Sequence, residues 1–62
     1  MSNENYLNLL RSQMADKRSM IEGLRERLSE LTDDSDKRSL QREIQRTEQD
    51  ISNIETQLRY GK

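Results

Sequence analysis

Apolar residues recur at steps of three and four from Leu7 to Leu31: Leu7, Leu10, Met14, Ile21, Leu24, Leu28 and Leu31, with Lys17 filling one position of the series. That spacing lines one face of an α-helix. Carried past residue 33, the same register meets only polar side chains: Ser35, Arg38, Arg42, Gln45, Gln49, Ser52, Thr56 and Arg59. A second stripe, Leu40, Ile44, Thr47, Ile51, Ile54 and Leu58, runs two residues out of phase with the first. At about 100° per residue, this offset puts it on the far side of a continuous helix. A chain that reverses between the stripes brings both into one core. The pattern therefore predicts an all-α fold, an antiparallel two-helix hairpin of coiled-coil type. Helix 1 is expected over about 3–31, a turn over about 32–35 and helix 2 over about 36–60, as one domain spanning residues 1–62.

Local signals agree with these limits. Ser2 or Asn3 is suited to cap helix 1, and Glu4 complements the positive end of its dipole. The run Thr32-Asp33-Asp34-Ser35-Asp36 has turn and cap preferences, with Thr32 or Asp33 placed to cap helix 2. Gly61 is a natural stop after Tyr60.

Folding the stripes against each other sets Leu28 opposite Leu40, Leu24 opposite Ile44, Ile21 opposite Thr47, Lys17 opposite Ile51, Met14 opposite Ile54 and Leu10 opposite Leu58. Lys17 and Thr47 interrupt an otherwise apolar seam, and the lysine stem can cover Ile51 while its ammonium reaches water. On one flank Arg11, Arg18 and Arg25 are expected to meet Glu55, Glu48 and Gln41. On the other, Arg27 is expected to meet Glu43, and Gln13 to meet Gln57. This charge pattern favours helix 1 against helix 2, within one chain or between exchanged chains.

Composition narrows the function classes. Charged residues make up 37% of the 62 and apolar ones 29%, with no proline and two glycines, so long helices meet few breakers. Without cysteine or histidine the chain lacks disulfides, thiolate metal sites and the usual general base near neutral pH. No catalytic, cofactor-binding or metal motif appears, and a narrow apolar stripe leaves little room for a substrate pocket. Catalysis, cofactors and a small-molecule substrate are therefore not expected. No apolar run exceeds two residues, so neither a membrane span nor a signal-peptide core is present, and a cytoplasmic location is expected. The net charge of −1 argues against nucleic acid as a partner.

What remains is binding through helix faces. A hairpin this small, with no covalent or metal staple, is expected to need a second contact. The chain is therefore expected to form a homo-oligomer, in the first instance a dimer with a four-helix bundle, or to pack against another helical protein. Tyr6, Leu9, Met20 and Gly23 share an outer flank of helix 1, and Tyr60 returns to it at the open end. These five residues form the candidate seam. Ala15, Ser19 and Gly23 make a row of small residues that a second helix can approach closely. Near the turn, Glu22, Glu26 and Glu30 form an acidic ridge on helix 1, and Arg38, Arg42 and Arg46 a basic ridge on helix 2. With Lys37, the basic ridge is the candidate anion or nucleic-acid surface. The architecture resembles the short homodimeric helical hairpins found among plasmid regulators, phage proteins and secretion partners, a resemblance of pattern that implies binding rather than chemistry. The expected function is a small protein–protein interaction or assembly module, an adaptor or regulator. The alternatives are a nucleic-acid-binding regulator using the arginine ridge, or a helical chaperone or partner of a secreted or phage protein.

Overall fold

The computed structural model describes the backbone of residues 2–60 and the side chains of residues 4–60. Two helices, α1 (Ser2–Glu30) and α2 (Asp34–Tyr60), pack against each other as a hairpin with extents of 49 × 16 × 11 Å. The caps expected from the Ser2 and Asn3 side chains, and the stop at Gly61, lie outside the described residues.

The reversal takes three residues, Leu31 to Asp33, and α2 begins two residues earlier than the turn composition suggested. Asp33 is the reason. Its carboxylate Oδ2 accepts the Asp36 N–H at 3.3 Å, and its carbonyl accepts the Lys37 N–H at 3.0 Å. This is N-cap geometry: an aspartate outside the helix satisfies a first-turn donor. Asp34 and Asp36 then fall in the first turn of α2, where negative charge suits the dipole. At the end of α1 the Leu31 N–H bonds the Leu28 carbonyl at 3.2 Å, a tightened last turn. Leu31 thus leaves the helix while its side chain still packs on the core.

Both stripes are where the spacing puts them. Leu10, Ile21 and Leu24 of α1 and Leu40, Ile44 and Ile54 of α2 are the buried hydrophobics. Leu7, Met14, Leu28, Leu31, Ile51 and Leu58 are half-buried. Leu24, Leu40 and Ile44 form a cluster with Leu28 and Leu31 against it, so both layers nearest the turn lie in one contiguous core.

The two polar interruptions are accommodated differently. Thr47 is 6% exposed, and its hydroxyl donates to the Glu43 carbonyl at 2.9 Å, one turn back along α2. That bond satisfies the buried oxygen without a partner from α1. Lys17 is half-buried and its ammonium does not simply run out to water: Nζ donates to Asp50 Oδ2 of α2 at 3.4 Å. The charged tip is held at the edge of the seam by a carboxylate that the stripe alone does not reveal. No buried side-chain nitrogen or oxygen among the described residues lacks a partner.

Candidate interaction surface

The two grooves flanking the core differ in chemistry. One is lined by Arg18, Ile21, Glu22, Arg25, Glu48 and Ile51. Two interhelix ion pairs cross it: Arg18 Nη2 to Glu55 Oε2 at 3.1 Å, and Arg25 Nη2 to Glu48 Oε2 at 2.8 Å. The right residues meet, but each arginine takes a glutamate one heptad farther from the turn than expected. Arg18 pairs with Glu55 instead of Glu48, and Arg25 with Glu48 instead of Gln41. Arg11 does not reach Glu55; it donates to Asn8 Oδ1 on its own helix at 3.2 Å.

The cause is the lean of helical side chains. Every Cα–Cβ bond tilts toward its own N-terminus. In an antiparallel pair, Arg25 therefore leans toward the open end and Glu48 toward the turn, so residues that start apart along the axis converge. Residues at nearly equal height, such as Arg18 and Glu48, lean away from each other.

The opposite flank is where the exposed large apolar side chains gather. Tyr6 (50% exposed), Leu9 (54%), Met20 (51%) and Tyr60 (70%) are the large hydrophobics left open to solvent among the described residues. Tyr6 reaches across this flank, its hydroxyl donating to Gln57 Oε1 of α2 at 3.3 Å. Gln57 and Tyr60 are neighbours on α2 at i, i+3, so the bond brings Tyr6 to the side of the hairpin that carries Tyr60. Gln57 is thereby engaged by Tyr6 rather than by Gln13. Toward the turn the same flank opens as a groove lined by Lys17, Met20, Ser39, Arg42, Glu43, Arg46, Thr47 and Asp50. A further groove beside it holds Arg27, Leu31, Asp36, Ser39, Leu40 and Glu43. Arg27 and Glu43, expected to pair, share this groove without coming within 4 Å.

Gly23, the fourth α1 residue of the candidate seam, has open space where a Cβ would stand, with nothing within 4 Å. It lines a shallow outer groove with Ser19, Glu22, Arg25 and Glu26. Ala15 and Ser19 of the same row are likewise exposed.

The charged ridges lie on the outer faces. Glu22, Glu26 and Glu30 are exposed on α1, and Arg38, Arg42 and Arg46 on α2. None of the six takes part in an ion pair within 4 Å among the described residues. Lys37 is half-buried, unlike the exposed arginines of the ridge.

No helix of the described residues is long and apolar enough to cross a membrane, and no group of three or more acidic side chains there is placed to hold a metal ion. The grooves are open to solvent and lined largely by charged groups. Comparison with protein-family models, with curated proteins and with solved structures found no match for this chain.

Proposed function

We propose that the chain is a protein–protein interaction module that acts by packing its Tyr6–Leu9–Met20–Tyr60 flank onto another helical surface, and that it assembles as a homodimer with a four-helix bundle. The observation that carries this reading is the asymmetry of the hairpin. One flank is crossed by the Arg18–Glu55 and Arg25–Glu48 pairs and carries none of the exposed large apolar side chains among the described residues. The other, bridged by Lys17–Asp50 and Tyr6–Gln57, carries all four of them. Monomeric proteins scatter such residues singly; a set confined to one side of a narrow rod marks a contact surface.

The size of the core supports it. Among the described residues no side chain is fully enclosed, since two helices cannot surround a residue from all sides. A second pair of helices on this flank would cover Met20 and the half-buried Leu31 together. Function would then follow from which surface the flank accepts, with the charges at its border selecting the partner.

Sedimentation of the full chain tests the reading. The wild type is expected at dimer mass, and the double substitution Tyr6→Glu, Leu9→Glu is expected to shift it toward the monomer while far-UV circular dichroism stays helical. Both side chains are half exposed in the hairpin, so the introduced charges harm the hairpin little. A dimer unchanged by the pair of glutamates would place the contact elsewhere.

A further inference from the structure

Resting on that reading, we infer that the partner is a second copy of this chain, related by a two-fold axis parallel to the helices, so that the two turns lie at the same end and α1 of each copy covers α2 of the other. The inference comes from where the apolar and charged groups sit along the rod.

A two-fold contact sets each patch against its own symmetry mate. Two hairpins stacked on the same flank have two such arrangements. With the axis parallel to the helices, both turns are at one end and α1 faces α2 of the other copy. With the axis across the helices, the turns are at opposite ends and α1 faces α1.

The apolar side chains choose between them. Tyr6 and Leu9, near the start of α1, and Tyr60, at the end of α2, all lie at the open end. Turns together, this cluster meets the same cluster of the second copy, with Tyr6 and Leu9 against the other Tyr60. Turns apart, it is separated from its mate and lands on the turn half, whose groove holds Arg27, Asp36, Ser39 and Glu43 around Leu31 and Leu40. The charged members of that lining would then be buried under tyrosine and leucine, which is costly without hydrogen-bonded partners.

The charges make the same choice. Arg27 and Glu43 line one groove on this flank, and neither forms an ion pair among the described residues. When α1 of one copy lies on α2 of the other with the turns together, each Arg27 comes level with the other copy's Glu43, twice per dimer. The Glu22–Glu26–Glu30 ridge takes no part, since Glu22 lines the groove of the opposite flank. With the turns apart, the Arg27–Glu43 matches do not form. Such complementarity at an interface border sets orientation more than strength.

A spin label at the turn reads the arrangement directly, because the chain has no cysteine of its own. Thr32→Cys is exposed and outside the capping contacts of Asp33; Ser35→Cys serves as a second site should the first perturb the turn. With the turns together, two labels across a bundle of helices packed 8–10 Å apart are expected at less than about 30 Å by double electron–electron resonance. With the turns apart, the separation approaches the 49 Å length of the hairpin. A short distance at dimer mass supports the inference. A long distance at dimer mass overturns it while leaving self-association through this flank standing. A monomer throughout the micromolar to millimolar range overturns both, and masses growing beyond the dimer overturn the closed two-fold contact.

Discussion

Ile44 and Ile51 are the same residue on the same stripe of α2, and they should respond unequally to truncation. Ile44 is 7% exposed and sits in the cluster with Leu24 and Leu40. Ile51 is half-buried and borders the solvent-filled groove crossed by the Arg25–Glu48 pair. Isoleucine to alanine removes three carbons, worth about 0.8 kcal/mol each when fully buried, or roughly 2.4 kcal/mol. A two-helix core can close over or hydrate the space, so the added cavity cost should fall at the low end of its range. Alanine's better helix propensity returns a few tenths of a kcal/mol at either site and cancels in the comparison. Ile44→Ala is therefore expected to cost about 2 kcal/mol and Ile51→Ala about 1 kcal/mol. Urea unfolding followed by far-UV circular dichroism measures both, at one protein concentration because association adds to apparent stability. Trimethylamine oxide can be included to keep the weaker variant folded at the start of the titration. Equal losses, or a larger loss at Ile51, would refute the core drawn here, the latter by showing that Ile51 is covered by something beyond α1.

Three other experiments probe separate features. Asp33→Ala should lower stability by about 1 kcal/mol through loss of the cap, whereas Asp33→Asn should retain most of it; equal losses in thermal melts would mean that the side-chain bond to Asp36 does not hold the turn. Gly23→Ala should raise the melting temperature, by a stabilisation of about 0.8–1 kcal/mol, because a Cβ there meets nothing within 4 Å; a lower midpoint would show that a second helix packs against that glycine. At low salt the chain should pass through an immobilised RNA or duplex-DNA column without retention, given its net charge of −1; retention abolished by replacing Arg38, Arg42 and Arg46 with alanine would make the arginine ridge a nucleic-acid surface.

Most of the fold was legible because it depends on short-range rules. The phase shift between stripes needs only the 3.6-residue period, and it names the buried residues of both helices. The cap of α2 was expected at Thr32 or Asp33 but its start about two residues late, because the run from Thr32 to Asp36 has cap and turn preferences throughout and composition alone does not choose between the two caps. Hydrogen-bond geometry does, by giving the Asp36 donor to Asp33. The flank pairs failed for a related reason. Arginines at 11, 18 and 25, opposite acidic residues at 48 and 55, repeat every heptad, so the ladder has two solutions one heptad apart. Residue numbers treat facing positions as points, while real side chains lean toward their N-termini, and that lean selects the more distant partner. Asp50 went unnoticed because it lies beside the apolar stripe; the signal was a lysine in the core series, which calls for a carboxylate on the facing edge. The four large exposed residues of the candidate seam were readable from helix position. The Tyr6–Gln57 bond that ties α1 to the Tyr60 side of α2 was not, since it depends on the reach of a phenol across the groove.

These observations also bear on how so polar a chain can keep one register. The flank ion pairs are exposed, worth about 0.2–1 kcal/mol each, and a repeating ladder can re-form after a one-heptad slip. They cannot fix the alignment alone. A slip would instead have to break the three-residue connection closed by Asp33, and it would remove Lys17 from Asp50. It would also leave one end of each apolar stripe unpaired. Turn, core and polar pair thus impose the same alignment from different positions along the rod. That alignment places Tyr6 and Tyr60 at one end on one flank. A contact surface made from both helices requires such a fixed register, because sliding one helix would separate the two halves of the patch.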